Sequence, residues 1–270
     1  MVTSRIASKA LQENTPTEHA LAKVPQVTLI FWLIKIVATT LGETGGDWVT
    51  MSLNLGYLIG TAIFAIIFLG LVTAQIKVTK FHPALYWATI IGTTTLGTTI
   101  ADFADRSVGL GYPGGVALIT IALVISLFVW YRSEGSISVE SVSTPRVEWF
   151  YWSTIMFSQT LGTALGDWVA GSDRGGFGMG YEAGALVFGA GLVVVALLYL
   201  WTKVSRTLLF WLAFVLTRPL GATLGDWLDK PVVNGGLQVS RLYASLILLA
   251  VIALAVLLLP QRAAVQRQNA

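Results

Sequence analysis

The sequence predicts an all-α integral membrane protein with eight spanning helices, and three observations predict it. Charged residues make up 11% of the chain and apolar residues 55%, with a mean hydropathy of +0.73, whereas a soluble domain is about one quarter charged. Eight apolar runs are long enough to cross a hydrocarbon core as helices. The alternating segments of about ten residues that mark a membrane β-barrel are absent.

In chain order, residues 1–25 are polar, carry Arg5, Lys9 and Lys23, and have no small-residue cleavage site after the first apolar run. They read as a disordered cytoplasmic tail ahead of a retained helix. Runs at 28–47, 55–74, 84–102 and 113–131 build a first half, residues 26–131. The polar stretch 132–146 is a cytoplasmic linker. Runs at 149–169, 183–202, 207–227 and 242–259 build a second half, residues 147–260, and 261–270 form a second tail. Basic residues gather in the tails and after even-numbered runs, as at Lys77, Lys80, Arg132, Arg146, Lys203 and Arg206. Basic excess marks the cytoplasmic side, so both termini face inward and the loops after odd-numbered runs face outward.

Four aspartates, Asp47, Asp102, Asp167 and Asp226, each follow a tryptophan by fifteen residues: Trp32, Trp87, Trp152 and Trp211. The shared unit is Phe/Tyr-Trp-x9-Leu-Gly-x3-Gly/Ala-Asp-Phe/Trp. Each copy supplies a motif helix, an outward loop and a return helix, which makes the copies parallel repeats. Copies one and three continue Asp-Trp-Val, while copies two and four add Asp105-Arg106 and Asp229-Lys230. Copy one therefore pairs with three and two with four, giving two halves about a pseudo-twofold axis along the membrane normal. Gly-Tyr steps at Gly56, Gly111 and Gly180 open the return helices, and the fourth copy lacks one.

Small residues four apart let helix backbones approach closely, so the motif glycines read as packing positions. The tryptophans read as anchors at the membrane interface. Residues four and seven before each aspartate share its helix face: Glu43 and Thr40, Thr98 and Thr95, Thr163 and Thr160, then Ala222 and Pro219. A lipid-facing carboxylate costs several kcal/mol, so these stripes belong inside the bundle or along a wet cavity. Glu43, Asp47, Asp102, Asp167 and Asp226 form a candidate metal-binding set of hard oxygen ligands, suited to Mg²⁺, Ca²⁺, Mn²⁺, Na⁺ or H⁺. Thr40, Thr95, Thr98, Thr160, Thr163, Arg218, Asp105 and Asp229 form a candidate substrate path. In the competing reading the aspartates cap the outer loops and pair with Arg106, Arg174 or Lys230. Arg218 takes the place held by Thr39, Thr94 and Gln159 in the other copies and is placed to pair with Glu43. Pro219 is expected to break its helix locally. Lys35, about two turns from its helix start, is expected to snorkel to the inner interface.

On the four copies of the motif, beginning with Thr-Leu-Gly-Glu-Thr-Gly-Gly-Asp at Thr40 to Asp47, the chain resembles a family of uncharacterised, membrane-anchored bacterial inner-membrane proteins built from four short repeats. The resemblance implies an inner-membrane location and no activity. Glu43-Thr-Gly-Gly-Asp47 is also similar to the Glu-x-Gly-Asp signature of membrane Mn²⁺/Ca²⁺ and proton exchangers, with an extra glycine between the acids and Trp48 and Val49 after them. That similarity implies a divalent cation held by Glu43 and Asp47.

The function expected is transport of a small inorganic cation, Mn²⁺ first among them, driven by protons. The alternative is a membrane scaffold or assembly factor that uses the motifs for packing and capping. An enzyme is not expected, because the apolar runs contain no histidine or cysteine and their serines lack an activating base. No catalytic residue and no cofactor beyond a bound divalent cation is assigned. The expected partners are the lipid bilayer, the cation and protons. A homo-oligomer is compatible with the sequence. The net charge of +3 is spread over loops and implies no nucleic acid.

Overall fold

The computed structural model describes residues 21–265. Eight α-helices account for most of them: α1 (Leu29–Asp47), α2 (Gly56–Lys77), α3 (Pro83–Asp102), α4 (Gly111–Glu134), α5 (Pro145–Ala170), α6 (Tyr181–Trp201), α7 (Arg206–Asp229) and α8 (Arg241–Leu258). Two short strands, β1 (Leu21–Pro25) and β2 (Ala263–Val265), pair antiparallel.

The four motif helices share a start signal. Thr28, His82, Thr144 and Ser205 each accept a hydrogen bond from the backbone three residues on, at 3.3, 3.4, 3.4 and 3.4 Å. Such N-caps satisfy one of the amides that a helix start leaves unpaired. Pro83 and Pro145 follow their caps at the position where a missing N–H costs nothing. At the other end, α1 and α3 run into single π turns, Trp48–Ser52 and Phe103–Ser107, whereas α5 and α7 lead into longer loops. Gly56, Gly111 and Gly180 take positive φ where the return helices begin, whereas in the fourth copy Ser240 precedes α8 with a φ of −55°.

The motif helices close a ring, α1 on α3, α3 on α5, α5 on α7 and α7 on α1. Each return helix leaves its own repeat and covers the next motif helix: α2 packs on α3, α4 on α5, α6 on α7, and α8 comes back to α1. The two predicted halves are therefore not separate packing units, since α3 meets α5 across the linker as closely as α1 meets α3.

Glycines set the spacing of this ring. A side chain at Gly42 would collide with Thr94, at Gly97 with Gln159, at Gly162 with Arg218 and at Gly221 with Thr39. The same motif glycine meets the same position of the next copy at all four interfaces. The second small residue repeats the pattern, Gly46 against Thr98, Gly166 against Ala222 and Gly225 against Glu43. With the large residue of one helix seated on the small residue of the next, the backbones approach closely enough for dispersion and polar contacts to hold them.

Among the described residues, six helical segments are long and apolar enough to cross a membrane: Leu29–Ser52, Gly56–Lys77, Gly111–Glu134, Tyr181–Trp201, Arg206–Asp229 and Arg241–Leu258. The return helices expose Ile66, Ile121, Leu186 and Leu257 among many other apolar side chains, a surface suited to hydrocarbon. Helices α3 and α5 fall outside those six, and most of their residues are buried.

Several sequence expectations are corrected. Residues 1–20 of the expected tail lie outside the described residues, but its last five form β1, and β2 lies within the expected second tail. The expected linker contributes the end of α4 and the start of α5. The strand pair caps the N-terminal ends of the motif helices: Lys23 pairs with Glu148 at 2.5 Å and donates to the Ile76 carbonyl at 3.0 Å, and Gln75 donates back to the Lys23 carbonyl at 3.2 Å. Trp87, Trp152 and Trp211 lie beneath this cap, buried. Phe31 packs at a tilt against Trp87 and Tyr86 against Trp152 from one copy to the next, so these tryptophans are core residues where interfacial anchors were expected. Pro219 does not break its helix; α7 continues through it, and the Phe214 and Thr217 carbonyls in the preceding turn accept from Lys35 and Thr39 of α1. Lys35 does not snorkel. It is 0% exposed, donates to Thr217 Oγ1 at 2.7 Å and sits 3.8 Å above the Phe214 ring.

Candidate functional site

The residue one turn before each motif aspartate points into the ring. Glu43, Thr98 and Thr163 occupy that position in copies one to three, and copy four supplies only Ala222. The space is taken by Arg218, one turn earlier on α7. Its guanidinium reaches all three other copies, with Nη2 at 2.9 Å from Glu43 Oε2, 2.5 Å from Thr98 Oγ1 and 2.6 Å from Thr163 Oγ1. Nη1 is 3.5 Å from the Thr39 carbonyl. Arg218 and Glu43 are both fully buried, so each is the other's counter-charge in a medium where an unpaired ion is costly.

The four aspartates form a second layer, one turn toward the loops. All are buried, from 0% exposed at Asp47 to 4% at Asp167. They divide into two bridged pairs. Lys230 contacts Asp47 closely and Asp226 at 3.0 Å. Arg106 contacts Asp102 at 2.7 Å and Asp167 at 3.1 Å. Each cation, from copy four or copy two, joins its own aspartate to that of the following copy, and the fourth copy is followed by the first. Arg241, at the start of α8, adds contacts to Asp229 at 3.3 Å and Asp47 at 3.8 Å. Burial alone would lower the pKa of Lys230, but Asp226, Asp47 and Asp229 outweigh it and hold the ammonium well above the ordinary lysine value.

One group of carboxylates converges closely. Single oxygens of Glu43, Asp47 and Asp226 lie within 4.8 Å of one another, and all three residues are buried. Asp47 Oδ1 has no hydrogen-bond partner among the described residues. Hard oxygens at this separation suit a hard cation, which would compete with Lys230 and Arg218 for the same charges.

The expected path is brought together in part. Thr98 and Thr163 meet at Arg218. Thr40, Thr95 and Thr160 turn away, donating to the Ile36, Ile91 and Met156 carbonyls of their own helices at 3.0, 2.8 and 2.9 Å. A hydroxyl bonded back to its own helix has no hydrogen left for a neighbour. The position one residue earlier faces the ring interface instead, where Gln159, both of its amide atoms unpartnered among the described residues, and Thr94 Oγ1 sit beside Arg218's helix or its neighbours. Further toward the cap, Ile90, Ile155 and Phe214 are buried together with Lys35. Tyr86 and Tyr151 then join hydroxyls at 2.8 Å under the strand pair. The polar half of the ring thus faces the motif loops, and the other half is filled with apolar and aromatic side chains.

Arg241 and Lys35 were not singled out as site residues by the sequence. Arg241 stands at a helix start and Lys35 near one, where a basic residue ordinarily reaches water.

Each of the four repeats matches the family model described as Repeat of Unknown Function (DUF347), over residues 30–81, 85–136, 150–205 and 209–262. No curated protein and no solved structure matches the chain, so the similarity to cation exchangers gains no support.

Proposed function

The chain belongs to this four-copy repeat family, whose description carries no activity, and from the buried acids of the ring we propose that it transports a small inorganic cation across a membrane. One observation carries the proposal: the carboxylates of Glu43, Asp47 and Asp226 converge within 4.8 Å in a buried place. Clustered acids away from water are costly unless a cation or protons neutralise them. Lys230 and Arg218 supply that neutralisation internally, and an entering cation would release Lys230 from Asp47 and Asp226. All eight helices span the membrane in this reading, which is a bacterial inner membrane, with the strand cap and both termini cytoplasmic and the motif loops outside. Mn²⁺ heads the candidates and protons are the exchanged species.

A second reading is favoured by a different observation. Each motif aspartate already contacts Lys230 or Arg106, and those bridges join one copy to the next. A scaffold held together by these pairs would need no cation.

Thermal unfolding of detergent-solubilised protein with Mn²⁺, Mg²⁺, Ca²⁺ or Na⁺ separates the two. A ligand at a hundred times its Kd stabilises by about 2.7 kcal/mol, or roughly 5–10 °C for a chain of this size. The transport reading expects such a shift for a subset of ions and its loss in Asp47→Asn/Asp226→Asn. No ion-selective shift, or a shift the double variant keeps, overturns it in favour of the scaffold.

A further inference from the structure

Asp105 and Asp229 occupy the same place in copies two and four, three residues after the motif aspartate and one before the bridging cation, and their surroundings differ. Asp229 is ion-paired with Arg241, Nε to Oδ2 at 3.3 Å. At the matching place α4 begins Gly-Tyr-Pro-Gly-Gly and has no basic residue before Arg132. The Asp105 carboxylate instead lies against Gly115, where any side chain would overlap it.

Asp105 is 1% exposed, and neither carboxylate oxygen receives a hydrogen bond from any described residue. The charged and titratable groups around it are engaged elsewhere. Arg106 holds Asp102 and Asp167, and also donates to Tyr57 at 3.4 Å; Arg174, in the loop after α5, holds Asp173; and Tyr112 of α4 donates to Asp173 at 3.0 Å. On this side of the ring three carboxylates face Arg106, which bridges only two of them. On the other side Asp47, Asp226 and Asp229 face both Lys230 and Arg241.

An ionised carboxylate enclosed without a donor is far more costly than the neutral acid. A metal ion would demand several oxygens around it, and Asp105 has a glycine there. A proton needs one oxygen. We propose that Asp105 is a proton-binding site, a carboxylic acid in this conformation that exchanges its proton with water at the loop end of the ring, apart from the Glu43, Asp47 and Asp226 cluster. On release the proton passes to water and the O–H bonding pair stays on Asp105, adding one negative charge to a side that already holds an excess of acid. Use of that charge change to drive cation movement rests on the transport reading; the protonation itself does not.

Infrared spectroscopy of the full-length protein in lipid, stepped in pH without added divalent cation, distinguishes the carbonyl stretch of a protonated carboxyl from that of a carboxylate. A protonated-carboxyl band is expected near neutral pH, lost in Asp105→Asn and retained in Asp229→Asn. Thermal unfolding supplies a second readout: Asp105→Asn, a neutral isostere, keeps its Tm, and Asp229→Asn loses stability because Arg241 loses its closer partner and keeps only Asp47 at 3.8 Å. Absence of the band, its survival in Asp105→Asn, or collapse of the Asp105→Asn fold overturns the assignment. A negative cation screen would end the transport reading and leave this site standing.

Discussion

Arg218 of α7 and Glu43 of α1 form a 2.9 Å ion pair inside the ring, and the same guanidinium nitrogen reaches Thr98 and Thr163. One side chain from the fourth copy thereby contacts the corresponding residue of the other three. Removing one partner leaves a buried, uncompensated charge, at a cost of about 3–5 kcal/mol. Arg218→Met and Glu43→Gln are each expected to lose stability on that order, and the double variant to recover much of it. Unfolding of the four proteins in a double-mutant cycle checks this; additive losses would show that the pair is not coupled.

The ring interfaces predict a contrast among glycines. A Cβ at Gly97 would stand 2.9 Å from the Gln159 carbonyl carbon and the Thr160 nitrogen, both backbone atoms unable to swing aside. Gly97→Ala should cost about 1–3 kcal/mol by overpacking. Gly70 and Gly189, on return helices, have nothing within 4 Å of such an atom. Gly70→Ala and Gly189→Ala should be neutral or gain up to about 1 kcal/mol of helix propensity. Thermal melts of the three variants decide it.

Lys230 is the internal competitor of any cation at Asp47 and Asp226. Lys230→Met should lower stability without cation, because Asp226 loses its partner and Asp47 keeps only the longer contact with Arg241, and tighten divalent binding. A gain of about 1.4 kcal/mol corresponds to a tenfold lower Kd. Calorimetric titration with Mn²⁺ measures the change, and weaker binding in Lys230→Met would show that the lysine does not occupy the cation's place.

The strand cap hangs on the Lys23–Glu148 pair at 2.5 Å, both residues buried. Glu148→Gln should speed amide exchange in Leu21–Pro25 and Ala263–Val265 while exchange in α3 and α7 stays slow, since local opening draws on the contacts of the opened segment alone. Hydrogen–deuterium exchange resolved by peptide reads both regions, and unchanged protection of the strands would remove the pair as a latch.

Much of this architecture is legible in the chain. Apolar run length and the fifteen-residue Trp-to-Asp spacing locate the motif helices to within a few residues, because helix formation answers to local composition and caps. The bridging role of Arg106 and Lys230 is visible as the extra acid–base pair of copies two and four. Helical periodicity identifies residues that share a face, but not the neighbour that face will meet. It therefore groups Thr40, Thr95 and Thr160 with the aspartates, whereas close packing at Gly42, Gly97, Gly162 and Gly221 brings the preceding residue to the interface.

By itself the sequence determined that four equivalent helices each carry one motif aspartate and that small residues let them pack. Tertiary structure alone decided that each return helix covers the next repeat, that α8 closes on α1, and that Arg218 fills the place where copy four has only Ala222. It also decided that β1 and β2 meet over the buried tryptophans. The physical reason is that these outcomes depend on contacts between residues up to about 240 positions apart, whose energies arise only once the ring has closed.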